Sequence, residues 1–262
     1  MKRLLFFILH SSLFIGCAMA QPLMRDVFAA MPDSILPMVT RNNRLDCIDF
    51  IENNMEAKVR NVADEYVTLE ALTKDYARFR TSAAAVMELK LLHVEAHPQP
   101  LPEEGNSDGL SSSSTSLVTP PLGGGGGGLA ILCLVTTAQT GEPDTPRRLE
   151  DSNIRFLYSD WTPLDSATAG HLLFSMPPVK DFLGNVSSED SEPTAMSSFE
   201  QALRSLADFH PVRLALSPEA PTLTATLQPA YLALEERKAI TPRLCPLTFR
   251  WNGGAFVVSA SE

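Results

Sequence analysis

The 262-residue chain carries 21 basic and 31 acidic side chains, a net charge of −10, with 44% of its residues hydrophobic. This balance argues against a nucleic-acid binder: releasing phosphate counterions takes a concentrated basic face, and no Lys/Arg cluster longer than Arg147-Arg148 occurs. An acidic surface of this kind keeps a protein in solution, and the length suffices to bury a sizeable core without covalent staples.

Residues 1–20 read as an export signal. Lys2 and Arg3 supply the positive start, Leu4 to Leu9 and Leu13 to Ile15 the apolar stretch, and Ala18-Met19-Ala20 the small-x-small site, which predicts cleavage between Ala20 and Gln21. The alternative is lipidation of Cys17, which follows a small residue in Phe14-Ile15-Gly16-Cys17. A membrane span needs about 20 mostly apolar residues, whereas His10, Ser11 and Ser12 interrupt this run, and the best later stretch, Leu129 to Ala138, has about half that length. Loss of Lys2 and Arg3 would lower the basic count from 21 to 19 and move the net charge from −10 to −12. Three cysteines would remain, Cys47, Cys133 and Cys245. Three cannot all pair, which leaves room for one disulfide and a leftover thiol, but three scattered cysteines do not resemble a disulfide framework, and Cys133, inside an apolar run, reads as a small buried hydrophobe.

Beyond residue 20 the sequence predicts a single exported α+β domain: N-terminal helices packed on antiparallel β-sheet. From Leu23 to about Met55 it reads as helical, with Leu45, Ile48, Ile51 and Met55 on one stripe and Asn43 as N-cap. Asp46 and Asp49 then gain an ordinary role near a helix N-terminus rather than that of a catalytic pair. After Met55 the period changes to two. Met87, Leu89 and Leu91, Ile154, Phe156 and Tyr158, Val212, Leu214 and Leu216, and Leu223, Ala225 and Leu227 each predict a half-buried strand. A helix is expected near Ser198 to Ala207. Thr248 to Trp251 and Ala255 to Val258 predict a hairpin around Asn252-Gly253, whose left-handed backbone suits a tight primed turn. Tyr76 to Leu91 and Val212 to Leu227 share an outline, which leaves open a duplication into two similar β-hairpin-rich halves.

Two segments read as disordered insertions. Residues 97–128 hold clustered prolines, the run Ser111 to Ser114 and six glycines from Gly123 to Gly128; residues 185–198 are rich in Ser, Glu and Asp. Neither can bury enough apolar surface to offset ordering.

The chemical motifs are weak. Gly105-Asn106-Ser107-Asp108-Gly109 matches the nucleophile-elbow letters but lacks the strand and helix that strain such a turn. The glycine run has no Gly-Lys-Ser/Thr and does not make a phosphate loop. His93 and His97 are four apart, but one ends a strand and the other starts the Pro-rich insertion, so they do not share a helical face as metal ligands. His171 and His210 are isolated, and Cys47 would need a histidine brought to it by the fold. Trp161 and Trp251 could stack a ligand, yet large aromatics at strand ends more often close a core. No catalytic, cofactor or metal residue is therefore assigned.

Phe28-Ala-Ala-Met-Pro-Asp-Ser-Ile-Leu-Pro37, Asn43-Arg-Leu-Asp-Cys-Ile-Asp-Phe-Ile51 and Arg155-Phe-Leu-Tyr-Ser-Asp-Trp161 resemble a domain-of-unknown-function family of small exported proteins from Bacteroides- and Prevotella-type bacteria. The resemblance runs from about Leu23 to Phe256 outside the two insertions, and it implies an envelope or extracellular location without supplying a catalytic residue. It also implies O-glycosylation where Asp-Ser precedes an apolar residue, at Ser34 and Ser166. The expected function is noncatalytic binding of a protein or glycan of the cell envelope, or a structural role there. The alternatives are a periplasmic hydrolase with a site assembled from distant residues, and a proteinaceous inhibitor presenting residues 97–128.

Overall fold

The structure is a computed structural model that describes residues 21–94, 130–141, 148–164, 173–184 and 193–259. The segments at 1–20 and 97–128, together with His171 and Ser166, lie outside the described residues.

Among the described residues the strands form two antiparallel sheets. The first has the order β1-β2-β3-β4-β5-β6, from strands Lys58–Arg60, Tyr66–Leu72, Tyr76–Ser82, Ala85–His93, Ala130–Thr140 and Leu149–Tyr158. The second has the order β10-β9-β8-β7, from Val212–Leu216 (β7), Thr222–Leu227 (β8), Leu247–Trp251 (β9) and Phe256–Val258 (β10). The helices are α1 (Met24–Ala29), α2 (Arg41–Glu52), α3 (Pro193–Asp208) and α4 (Leu234–Ile240). This is an α+β chain, and the two segments of shared outline each form a hairpin, in different sheets.

The stretch read as helical from Leu23 to about Met55 holds two helices joined by a turn-rich segment with Pro32 and Pro37, residues that lack the N–H a helix interior requires. The α2 N-cap is Thr40, not Asn43. Thr40 Oγ1 accepts the Asn43 N–H at 3.3 Å and Asn43 Oδ1 accepts the Thr40 N–H at 3.2 Å, a reciprocal capping box. With the helix starting at Arg41, Asp46 falls beyond its first turn and Asp49 a turn later, so the dipole argument does not apply to them. The buried side of α2 is Arg44, Cys47 and Ile48, while Met55 lies past the helix end and is exposed. The expected insertion at 185–198 is also too long, because α3 begins at Pro193.

The first sheet contributes to two cores. Met87, Leu89, Leu91, Leu132 and Leu134 join Met24, Val27 and Phe28 of α1 and Cys47 and Ile48 of α2. Leu92, Ile131, Cys133, Val135 and Phe156 join Val212, Leu214, Leu223, Phe249 and Phe256 of the second sheet, with Ala202 and Leu206 of α3 and Ile240 of α4. The half-buried expectation holds for β7 and β8, whose burial alternates along the strand. It fails for β4, where Val86 to Leu92 are all buried because both faces of that strand are covered. In the last hairpin, Gly253 has the expected positive φ of 94°. The connection is nonetheless a four-residue loop closed by Trp251 pairing with Phe256, because Asn252 Oδ1 accepts the N–H groups of Gly254 and Ala255 at 3.0 and 2.8 Å.

Candidate functional site

The densest polar cluster lies between the two sheets. Alternation along β3 puts Tyr76, Arg78 and Arg80 opposite Ala77 and Phe79, and alternation along β4 puts Glu88 and Lys90 opposite Met87, Leu89 and Leu91. On a half-exposed strand Glu88 and Lys90 would be the solvated face. Here they are 3% and 1% exposed, because β7 lies over them.

Each buried charge is matched. Glu88 Oε1 accepts the Tyr76 hydroxyl at 2.8 Å and an Arg78 N–H at 2.7 Å, and Glu88 Oε2 accepts the Leu216 N–H at 3.3 Å. Lys90 Nζ donates to the Pro218 carbonyl at 3.1 Å and pairs with the Asp75 carboxylate at 3.1 Å. Glu70 joins Arg78 and Arg80, both at 2.7 Å. Further along, the Thr137 and Ser152 hydroxyls meet at 2.8 Å, Ser152 Oγ accepts the Leu214 N–H at 2.9 Å, Asp151 Oδ1 accepts the Val212 N–H at 3.2 Å, and Arg213 pairs with Glu150 at 3.1 Å. A cavity of about 10 Å³ remains between Arg78, Glu88, Thr137, Gln139 and Arg213, on the order of the space one water occupies.

Electrostatics follow from these contacts. Burial, reinforced by the Glu88 carboxylate, raises the Tyr76 phenol. Burial disfavours the charged form of Arg78, but hydrogen bonding to Glu70 and the charges of Glu88 and Glu70 outweigh it and the guanidinium is held more firmly protonated. For Glu70 burial again acts upward, and the bonds from Arg78 and Arg80 prevail, so its carboxyl sits below the usual range. Both oxygens of Glu88 face protein donors, and the Lys90 ammonium is held between a carbonyl and a carboxylate. The arrangement cross-links two sheets; a general base would need an oxygen turned toward a substrate proton.

The residues singled out in the sequence are scattered relative to this cluster. Cys47 is buried in the first core with its thiol 3.7 Å from the Ala57 carbonyl, and burial pushes it up to about 12. Cys133 is likewise buried and raised; all three described cysteines are free thiols, and Cys245 is exposed. His210 is exposed between α3 and β7, and His93 ends β4, where its carbonyl accepts the Trp251 indole at 2.7 Å. The Trp161 indole donates to the Val27 carbonyl at 2.8 Å in the other core, so the two tryptophans close separate cores and share no platform. Ser34 is exposed in the turn after α1, and Asp46 and Asp49 are exposed on α2. Among the described residues no group of three or more His, Cys, Asp or Glu side chains is placed to hold a metal ion. Among them, too, no helix is long and apolar enough to cross a membrane.

Sequence reasoning passed over Glu88 and Lys90. The available signal was two opposite charges inside Val86-Met-Glu-Leu-Lys-Leu-Leu92, a run otherwise apolar on both faces.

No curated protein matches the chain. Among solved structures, a domain of an uncharacterized protein from Porphyromonas gingivalis W83 shares the fold, with a TM-score of 0.59 and 22% identity over 91% of this chain and 98% of that one. A family model described as "Protein of unknown function (DUF3256)" matches residues 17–99 and 127–256, and the chain belongs to that family.

Proposed function

We propose that this is an exported, noncatalytic protein of the cell envelope that acts by binding another protein or a glycan, or by a structural role there. The observation that carries the reading is the fate of the buried charges. Glu88 and Lys90 are consumed in holding the first sheet against Leu216 and Pro218 of the second, and Arg78 and Glu70 in pairing within the first sheet. In this reading the N-terminal helices serve as the layer over one face of the first sheet.

The address rests on residues 1–20. Cleavage between Ala20 and Gln21 gives a released protein; cleavage before Cys17 gives a lipid-anchored one. Ser34, exposed and flanked by Asp33 and Ile35, is the site at which an O-glycan would be carried, with Ser166 as the second. Intact mass of the native protein tests both modifications, and a bare polypeptide would remove them.

Crosslinked capture of the tagged protein from its own envelope fraction tests the binding role, with one saturable, reproducible partner expected. Hydrolysis of a chromogenic ester, peptide or glycoside, abolished by Cys47→Ala or His210→Ala, would instead establish the hydrolase reading.

A further inference from the structure

Among the described residues the two sheets have four edges, and three are either bonded by the chain itself or guarded by charged side chains. At β7 the N–H groups of Val212, Leu214 and Leu216, which point away from β8, are taken by Asp151, Ser152 and Glu88. At β1 the strand is only three residues long and charged, and the Arg60 carbonyl accepts the Asn43 amide at 2.9 Å. At β6 only the last outward N–H, that of Tyr158, is bonded, to the Thr162 carbonyl at 2.9 Å, and the rest of the strand is guarded by the charges of Glu150, Asp151 and Arg155. Short length, charge and side-chain covering are the usual ways of keeping an edge from pairing.

The β10 edge has only its short length. Asn252 with Ala255, and Thr248 with Ser259, are hydrogen-bonded across the hairpin. Antiparallel alternation therefore turns the N–H and C=O groups of Phe256 and Val258 away from β9. Among the described residues neither N–H has a partner. The strand is Phe-Val-Val, with Val257 44% and Val258 59% exposed and no charge of its own. On β9, directly opposite Val257 and on the same face, stands Arg250, exposed and without an ion-pair partner among the described residues.

From this edge we infer that β10 receives an extended segment of another protein as an added antiparallel strand, with an acidic residue facing Val257 and Arg250 between two apolar neighbours. The outward groups of Phe256 and Val258 supply the main-chain bonds, Val257 the apolar contact, and Arg250 the charge complement that sets the preference for a carboxylate. A second copy of this chain fits less well, because two-fold pairing about Val257 sets the two Arg250 side chains on one face with no carboxylate between them. The inference rests on the binding reading above and names its surface and its partner's chemistry.

The test is an NMR titration of the ¹⁵N-labelled protein with the blocked peptide Thr-Val-Glu-Val-Thr and with its Lys-centred counterpart. The expected result is saturable shifts centred on Phe256, Val258 and the β9 amides with the Glu peptide, weakened by salt, and binding at least about fivefold weaker with the Lys peptide. Val258→Pro removes an outward N–H that makes no bond to β9, a placement an edge strand tolerates, and should abolish the shifts. Arg250→Glu should invert the order of the two peptides. Shifts absent from this edge with both peptides, or unchanged by Val258→Pro, would overturn the inference. A partner captured equally by wild type and Val258→Pro would also overturn it while leaving the binding function standing, so the two failures are separable.

Discussion

Glu88 and Leu216 stand 128 residues apart in the chain, yet the Glu88 carboxylate accepts the Leu216 N–H at 3.3 Å while its other oxygen holds Tyr76 and Arg78. One buried side chain thus satisfies an edge strand of the second sheet and anchors two donors of the first. The desolvation of that carboxylate is offset only while all three donors are in place. Lys90 repeats the pattern two residues on, reaching Pro218 across the same gap.

Removing the carboxylate should therefore leave the buried Tyr76 hydroxyl and Leu216 N–H short of partners and strip the half-buried Arg78 guanidinium of one of its two carboxylates. Glu88→Leu is expected to lower unfolding stability by about 3–5 kcal/mol, and Glu88→Gln, which keeps the shape and one acceptor oxygen, by about 1–3 kcal/mol. Urea denaturation of the two variants beside wild type measures the difference. Equal stability of Glu88→Leu and wild type would mean that the carboxylate does not hold the sheets together.

Tyr76 predicts the alkaline limit. Its phenol is raised in the folded state, so the fold favours the neutral form. The associated stability is fully present below the unfolded value of about 10 and is lost as pH rises toward the raised folded value. Melting temperature should begin to fall above about pH 8.5, where the buried Cys47 and Cys133 thiols would ionise in the unfolded chain, and more steeply above about pH 10; Tyr76→Phe should flatten that upper limb while lowering stability at neutral pH. Glu70 acts at the other end: its carboxyl is lowered, so its contribution is present above about pH 4.3 and is lost as pH falls through the folded value.

Arg44 organises the turn between α1 and α2. It is 1% exposed and donates to the carbonyls of Met31 and Val39, the latter at 2.7 Å, and to Asp33 Oδ1 at 3.0 Å. Arg44→Met keeps an unbranched but shorter stem and orphans two buried carbonyls, with an expected loss of about 2–4 kcal/mol. Arg44→Lys should recover little, because an ammonium lacks the fork that reaches three acceptors. Denaturant midpoints for the pair test this; full rescue by lysine would show that charge, not geometry, organises the turn.

The thiols divide by burial. Cys47 and Cys133 are buried with their thiols raised, and Cys245 is exposed. Of these three, a disulfide reagent at pH 8 should modify Cys245 within minutes and the other two only on unfolding. Peptide mapping after labelling identifies the site, and rapid native labelling at Cys47 would show that the first core opens.

The amino-acid pattern by itself determined the strand periodicity, both hairpins of shared outline, the left-handed Gly253 and the burial of Cys133. Each depends on neighbours within a few residues, where alternation and turn chemistry act directly. Other features were decided only in the tertiary structure. Period two groups Glu88 with Lys90 on one face of β4, but it cannot say that β7 will cover that face, since the covering strand lies more than a hundred residues away. The same holds for edges. Phe256-Val257-Val258 reads as one apolar strand among several until the sheet order leaves it outermost, with Arg250 beside it, and gives the β7 N–H groups to Asp151, Ser152 and Glu88. Hydrogen-bond accounting is global: a backbone donor is free or satisfied according to what long-range packing brings to it.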